Sequence, residues 1–201
     1  MNMLILIILS YLIGSIPFAL VIGKVFYKTD VREHGSKNLG GGNTGRVLGK
    51  KAGLSVMTMD ILKVSFVVFL ATRLCGNDQA IALSGLMAAI GHCYPVFAKF
   101  KGGKAVATMY GFLFGLIVFV GYSPLVFLLP LLMFLLVLYL TKIISLSSMV
   151  SAAAAALYAC LTTESTPIQA VLILFAVFIV VRHRKNIERM MQRRENKISW
   201  M

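Results

Sequence analysis

Seven apolar runs, separated by short polar segments, make up most of the chain. They lie at residues 3–26, 54–74, 80–97, 105–120, 124–140, 145–161 and 168–181. A helix that crosses about 30 Å of hydrocarbon needs about 20 residues, and about 17 are close to the minimum. The first two runs exceed that length, whereas several later runs are marginal. The pattern therefore predicts an all-α membrane protein with about seven transmembrane helices.

The overall composition agrees with a membrane as the solvent. Hydrophobic residues make up 59% of the chain and charged residues only 13%, which is far more apolar than a water-soluble domain. The first run is too long for the core of a signal peptide and has no basic residue before Lys24, so we expect it to be retained as a helix. The sequence has no visible internal repeat or linker, which predicts a single domain over residues 1–201.

The positive charge is distributed unevenly along the chain. Of the 20 Lys and Arg residues, 18 lie in segments 24–52, 98–104 and 141–144 or in the tail from residue 182 onward. Alternating spans place these segments on one side of the membrane, and the positive-inside rule makes that side cytoplasmic. We therefore expect the N-terminus outside and the C-terminus in the cytoplasm. Contact with anionic membrane lipid explains most of the net charge of +13, so no nucleic-acid partner is predicted.

A glycine-rich segment in the longest basic loop is the first candidate site. Its glycines permit positive φ and let backbone N–H groups converge on an anion, while short polar side chains and one guanidinium add donors. The predicted phosphate ligands are Gly35, Ser36, Asn38, Gly40, Gly41, Gly42, Asn43 and Arg46. The segment lacks the order of a P-loop, which disfavours nucleotide binding. A flexible turn before the second helix is the alternative interpretation.

The second candidate segment, residues 91–104, closes the third apolar run and precedes the fourth. Gly102 and Gly103 stand just before a predicted helix start, where free N–H groups attract anions, and Lys104 adds a charge. His92 is a candidate substrate ligand, although a histidine with no other histidine at ligand spacing also suits a packed structural role. The segment is therefore predicted to bind a second anionic group.

The third candidate segment, residues 183–189, follows the last apolar run. On a helix His183 and Asn186 share a face because they are three residues apart, whereas Glu188 is five residues from His183 and points elsewhere. A His–Glu dyad on one continuous helix is therefore not expected. A basic cap on the last helix is the alternative to a binding role.

Smaller polar features complete the set of candidates. Asp60 and Lys63 are three residues apart within the second run and are predicted to form a structural pair, with a catalytic pair as the alternative. Ser145 and Ser148 begin the sixth run, where they either offer hydroxyls to the site or cap the helix. The cysteines have no metal-ligand spacing, so no metal site is predicted.

Taken together, the three segments resemble the bacterial acyl-phosphate:glycerol-3-phosphate acyltransferases. The first motif of that family, roughly GSGNPGATN followed by an arginine, corresponds to residues 35–43 and Arg46. The second, GHxYPVFxxFKGGKxVAT, is kept over residues 91–108, and the third, HxxNIxR, over residues 183–189. Segments 12–18 and 60–63 are also similar. The departures lie in the first motif, with Lys37 for glycine, Leu39 for proline and Gly41-Gly42 for Ala-Thr.

The resemblance implies transfer of an acyl chain from acyl-phosphate to the 1-hydroxyl of glycerol-3-phosphate. The products would be lysophosphatidate and phosphate, in the first acylation of bacterial phospholipid synthesis. It further implies a multi-pass protein of the bacterial cytoplasmic (inner) membrane whose active site faces the cytoplasm. The expected partners are the two substrates and membrane lipid. No cofactor is expected, and the chain is predicted to function as a monomer.

The resemblance also assigns roles within the site. The catalytic set is expected to be Ser36, Arg46, Lys104, His183 and Asn186, with Ser145, Gly102 and Gly103 among the substrate ligands. The 35–42 backbone with Ser36 and Asn38 would hold the donor phosphate, and the remaining polar residues would hold glycerol-3-phosphate. No histidine is followed by aspartate at HxxxxD spacing. We therefore expect the donor's own phosphate to accept the proton, with His183 as the alternative base.

Two functions of other classes remain as alternatives. A phosphate-ester transporter would place charges at the bilayer midplane and often shows inverted repeats, whereas the polar motifs here cluster toward one face. A membrane assembly factor that recruits anionic lipid would need basic loops but no glycine-rich phosphate site. Both are disfavoured by the joint occurrence of the three segments.

Overall fold

The computed structural model describes residues 2–198; residues 1 and 199–201 of the predicted domain lie outside the described part. Within this range the chain forms helices and loops without a β-strand, as the apolar pattern predicts. The α-helices, in chain order, are α1 Met3–Gly14, α2 Phe18–Tyr27, α3 Gly41–Leu48, α4 Lys50–Leu74, α5 Asp78–Cys93, α6 Val106–Gly115, α7 Leu125–Thr141, α8 Ile144–Thr162, α9 Thr166–Arg182 and α10 Arg184–Met191. A π-helical turn, Leu116–Val120, extends α6.

Each apolar run forms helix, but the helices differ in length. Within residues 2–198, four segments are long and apolar enough to cross a membrane: Met3–Tyr27, Lys50–Leu74, Asp78–Ala98 and Ile144–Thr162. Helices α9 and α10 form a pair bent by 57° that adds a fifth span if counted as one. The extended α6, Val106–Val120, and α7 are shorter apolar helices. The all-α fold is therefore confirmed, while the count of seven spans stays a prediction.

Large apolar side chains cover the outside of the bundle. Leu132 of α7 is 64% exposed and Leu161 of α8 is 75% exposed. Exposed apolar surface costs about 25 cal/mol per Å² in water but nothing comparable in hydrocarbon, so these faces fit lipid. The interior is also apolar, and the rings of Phe112 and Phe175 meet there with centroids 5.6 Å apart.

The first run is divided into two helices near Pro17. Proline has no backbone N–H to donate, so the helical ladder is interrupted there. At this break the Ile16 carbonyl accepts hydrogen bonds from the Phe18 N–H at 3.2 Å and from Nζ of Lys63 on α4 at 3.0 Å. The break therefore provides a partner for a buried charge on a neighbouring helix.

Helices α1 and α5 approach closely because glycines lie in their interface. A Cβ at Gly14 would overlap the backbone of Ala88, and one at Gly91 would overlap the carbonyl oxygen of Tyr11. Small residues allow close packing of membrane helices, whose association depends on contact rather than on expulsion of water. This interface fixes α5, whose last turn carries His92.

Candidate functional site

The first motif is folded around the side chain of Asn43, which is only 1% exposed. Its Oδ1 accepts hydrogen bonds from the N–H and the hydroxyl of Ser36, at 2.8 and 3.1 Å. Its Nδ2 donates to the carbonyls of Val31 and His34, at 2.9 and 3.2 Å. The sequence predicts that Asn43 contacts substrate. Its amide is occupied within the loop and holds Ser36 in place, while a contact between Asn43 and substrate stays a prediction.

Helix α3 presents donors at the exposed side of this loop. It begins after Gly40 with no side-chain cap, so N–H groups of its first turn are free to bind an anion. A Cβ at Gly42 would meet nothing within 4 Å, which leaves this end open. Arg46 of the same helix donates from Nη2 to the Ser36 hydroxyl at 3.1 Å. This arrangement suits a phosphate group.

Other glycines of the segment serve helix packing. A Cβ at Gly41 would lie 2.6 Å from the Gly53 carbonyl oxygen on α4, and one at Gly53 would lie 2.6 Å from the Cα of Gly45. These contacts bring α3 against α4, where a larger side chain would separate them. The missing side chain of Gly41 therefore allows α3 to pack against α4. The backbone N–H of Gly41 lies at the uncapped start of α3, where phosphate binding stays a prediction.

Lys37 adopts a conformation that usually belongs to glycine. The φ of Lys37 is +59°, and the φ of Gly35, two residues earlier, is +58°. Both residues therefore lie in the left-handed region. A non-glycine residue in this region costs about 1–2 kcal/mol. The loop therefore keeps the positive-φ turn although lysine replaces the usual glycine of the motif.

This backbone strain leads to a prediction for position 37. We expect Lys37→Val to lower the melting temperature of the detergent-solubilised protein by about 2–4 °C, because a β-branched side chain is the least compatible with this φ. Lys37→Gly removes the strain and should not lower the melting temperature. Thermal unfolding of both variants measures the difference. Equal melting temperatures for the two variants would show that the turn is not strained.

A buried polar cluster lies beneath the second motif. Asp60 Oδ1 is 2.7 Å from Lys63 Nζ and 3.5 Å from His92 Nδ1, and the three side chains are at most 6% exposed. The imidazole packs against Gly103, where a Cβ would overlap its Nε2. The sequence predicts substrate binding by His92. Its ring is enclosed by the ion pair and the Gly103 backbone, which favours the alternative, a packed structural role that supports this turn; substrate binding by His92 stays a prediction.

The Gly102–Gly103 turn leads directly to Lys104. The N–H of Gly103 donates to the carbonyl of His92 at 3.0 Å, and a Cβ at Gly102 would overlap that same carbonyl oxygen. Ala105 has a φ of +62° and precedes α6 without a side-chain cap. The helix thus begins at Val106, so Lys104 lies in the loop rather than in the first turn.

Lys104 connects the second motif to the third. Its Nζ donates to Asn186 Oδ1 at 2.5 Å. Burial is the main reason that the pKa of Lys104 lies at about 8; Glu195 opposes the shift, and the charges of Arg189 and Arg46 reinforce it. The second and third motifs therefore meet at one partly buried ammonium, and the charge of Arg46 in the first motif acts on the pKa of the same group.

Glu195 is a site residue that sequence reasoning missed. Its Oε1 accepts from Ser145 at 2.9 Å and from Asn186 at 2.5 Å, and its Oε2 accepts from Arg189 at 2.7 Å. Burial would raise its pKa, but these three hydrogen bonds lower it. The carboxylate thereby fixes Asn186 with its oxygen toward Lys104. The available signal was the position of Glu195 as one of two acidic residues, with Glu188, in an otherwise basic tail.

His183 lies where α9 ends and α10 begins. The chain bends there by 57°, so α9 does not continue straight through the third segment. His183 is the N-cap of α10, and its carbonyl accepts a hydrogen bond from the N–H of Asn186 at 2.8 Å. Nδ1 of His183 is 2.8 Å from the Ile179 carbonyl oxygen, which can only accept, so Nδ1 carries the proton and Nε2 is a free acceptor. Burial lowers the pKa of His183 to about 4. The imidazole is therefore neutral at physiological pH.

The serines of α8 differ in orientation. Ser145 joins the site through Glu195, whereas Ser148 donates to the carbonyl of Ile144 in its own helix, at 2.8 Å. Asn38 is half-buried beside Gly40. The geometry thus combines several cations, polar side chains and uncapped helix starts, which together suit a ligand with more than one negative charge.

Comparisons with known proteins agree with this arrangement. The family described as Glycerol-3-phosphate acyltransferase matches residues 4–193. A glycerol-3-phosphate acyltransferase from Geobacillus kaustophilus (strain HTA426) is 46% identical over 195 residues, covering 97% of this chain and 95% of that protein. One from Bacillus subtilis (strain 168) is 44% identical over 196 residues, covering 98% of this chain and 97% of its own length.

Solved structures show the same similarity in three dimensions. The crystal structure of PlsY (YgiH), an integral membrane glycerol 3-phosphate acyltransferase, in its glycerol 3-phosphate form has a TM-score of 0.91 and 36% identity. The alignment covers 99% of this chain and 96% of that chain. Its lysphosphatidic acid form has a TM-score of 0.89 and 35% identity over the same shares of both chains.

Proposed function

Because the chain belongs to the glycerol-3-phosphate acyltransferase family, we propose that it transfers an acyl chain from acyl-phosphate to the 1-hydroxyl of glycerol-3-phosphate. Lysophosphatidate and phosphate are the products. The observation that carries this proposal is the hydrogen bond from Lys104 to Asn186, which joins the second motif to the third; the uncapped start of α3, with Ser36 and Arg46 beside it in the first motif, supports it. Such a site can hold two phosphate-bearing substrates next to each other.

The division of the site between the substrates follows from its two halves. The donor phosphate binds the free N–H groups at the start of α3, with Ser36 and Asn38 beside them. The phosphate of glycerol-3-phosphate binds Lys104 and Arg46, near His183. Ser145 and Asn186 line this half and are held by Glu195. Binding both anions in fixed positions replaces an encounter in solution with a reaction between neighbours.

The reaction needs an attacking oxygen, a leaving group and a proton acceptor. The 1-hydroxyl oxygen forms a bond to the acyl carbon, and the bond between that carbon and the phosphate oxygen breaks. The departing phosphate takes the hydroxyl proton, so no cofactor is required. His183 is the alternative base, since its unprotonated Nε2 is the free acceptor of the ring. The cations stabilise the negative charge that grows on the departing phosphate.

The membrane arrangement that we propose places this site at the cytoplasmic face of the bacterial inner membrane. Seven crossings with the N-terminus outside put the three motifs and most basic residues on one side. The acyl tail of the donor then lies in hydrocarbon while its phosphate reaches the site. One copy of the single domain contains all the residues named above, which supports function as a monomer.

A donor panel tests the proposed reaction. The detergent-purified protein is incubated with glycerol-3-phosphate and, separately, with acyl-phosphate, acyl-coenzyme A or acyl-carrier protein. We expect lysophosphatidate only with acyl-phosphate. Product from one of the other donors instead would overturn the donor assignment, and no product with any donor would favour a transporter.

The charge state of Lys104 predicts a pH dependence of substrate binding. Its pKa of about 8 means that the ammonium is lost as the pH rises through 8, whereas phosphate monoesters lose their second proton around pH 6 and are almost fully ionised by about pH 7. The KM for glycerol-3-phosphate should therefore be lowest between about pH 6 and 8 and rise above pH 8. Steady-state kinetics from pH 6 to 10 measure this profile.

Lys104→Arg provides the matched control for the pH profile. Arginine stays protonated at all these pH values, so the rise in KM above pH 8 should disappear, whatever the absolute activity. His183→Gln should keep the rise, because the neutral imidazole does not titrate in this range. A profile above pH 8 that is the same in Lys104→Arg and in the natural protein would assign the titration to another group.

A further inference from the structure

Arg182 binds the turn that precedes Lys104. It is the last residue of α9 and directly precedes His183. Its Nε and Nη2 donate to the Gly103 carbonyl at 3.1 and 2.9 Å, and Nη2 also lies 3.5 Å from the Gly102 carbonyl oxygen. The side chain that directly precedes the third segment therefore holds the backbone of the second.

The guanidinium is itself held in a fixed orientation. It lies over the ring of Tyr94, 4.9 Å from the ring centroid. The centroid of that ring is 6.2 Å from the ring centroid of Phe178 on α9. The Tyr94 carbonyl accepts a hydrogen bond from the Tyr11 hydroxyl of α1 at 2.8 Å. Stacking and a planar set of donors suit arginine and cannot be reproduced by lysine.

The turn is thus fixed from two sides. His92 supports it through the Gly103 N–H and the close packing of its ring, while Arg182 holds the two carbonyls. With both contacts present, the Cα of Lys104 has a defined position relative to His183. The hydrogen bond from Lys104 to Asn186 adds a further link between the turn and the third segment.

We propose that Arg182 is a positioning residue, which sets the place of Lys104 relative to His183 and Asn186 during the reaction. The inference rests on the proposed function in one respect, namely that Lys104 binds the substrate phosphate. When the ammonium turns to that phosphate, its hydrogen bond to Asn186 weakens. Among the described residues, the Arg182 contacts are then the remaining polar link between the Gly102–Gly103 turn and the third segment.

Arg182→Lys is the main test because it keeps the charge but loses the stacked, two-nitrogen contact. We expect kcat/KM for glycerol-3-phosphate to fall about 10- to 100-fold, as for other displacements of a group that orients substrate. Arg184→Lys is the matched control, since Arg184 is an exposed arginine two residues further on, and it should keep full activity. The assays use the full chain in detergent, well below the melting temperature of each variant.

A double-mutant cycle separates positioning from a purely structural role. If Arg182 acts through Lys104, Arg182→Lys should cost less than about threefold in a Lys104→Ala background, because no ammonium remains to be placed. If Arg182→Lys lowers kcat/KM by the same factor in the natural protein and in Lys104→Ala, the inference is overturned. It is also overturned if Arg182→Lys alone keeps more than a third of the natural activity. If Lys104→Ala alone keeps natural activity, the proposed substrate site fails instead. Arg182→Gln repeats the cycle if the lysine variant does not fold.

Discussion

Replacing Lys104 with methionine should lower kcat/KM for glycerol-3-phosphate by about 10²- to 10³-fold. Methionine keeps the length of the side chain and removes the ammonium that contacts Asn186. A fixed charge in a partly buried site contributes about 3–4 kcal/mol to a transition state in which negative charge develops. Initial rates over a range of glycerol-3-phosphate concentrations, at saturating acyl-phosphate, measure the loss.

Lys101→Met is the matched control for this substitution. Lys101 is an exposed lysine in the same loop, so its loss changes the net charge equally without touching the site. It should keep at least half of the natural activity. If both variants lose the same activity, the effect comes from general surface charge. If kcat/KM of Lys104→Met stays within threefold of that of the natural protein, Lys104 is not a substrate ligand.

The fold was largely predictable because membrane helices have a simple sequence signal. Length and hydropathy predict that each apolar run is helical, and each run contains helix. The bends were less predictable. Pro17 marks the division of the first run, but the 57° bend at His183 follows no proline or glycine. That bend depends on contacts of the third segment with the rest of the site, which a local pattern does not contain.

The site was predictable as a set of segments but less so as individual contacts. Spacing suggested that Asp60 could pair with Lys63, and Oδ1 of Asp60 lies 2.7 Å from Nζ of Lys63. The inward orientation of Asn43 and the burial of His92 depend on loops that meet only in three dimensions. The roles of Glu195 and Arg182 were not predictable for the same reason. Each is a charged residue in a tail rich in charges, and its partners lie in other segments or are brought near it only by the fold.

Removing one partner of the buried ion pair in α4 should destabilise the protein strongly. Lys63→Met leaves the Asp60 carboxylate, whose side chain is 2% exposed, with only the His92 imidazole nearby. An unpaired buried charge costs about 3–5 kcal/mol, which lowers the melting temperature by on the order of 10 °C. Thermal unfolding in detergent measures this change. Activity should fall as well, because His92 supports the Gly103 turn.

The double variant Asp60→Leu/Lys63→Met distinguishes charge pairing from simple loss of packing. With both charges removed no buried ion is left unpaired, so the double variant should melt at a higher temperature than Lys63→Met alone. Lys51→Met, at an exposed position of the same helix, should leave the melting temperature unchanged. If the double variant is the less stable of the two, the pair contributes through contacts of each side chain separately. Because the hydrogen bond from Lys63 to Ile16 at the Pro17 break is lost in both variants, the difference between them would then come from the contacts of Asp60.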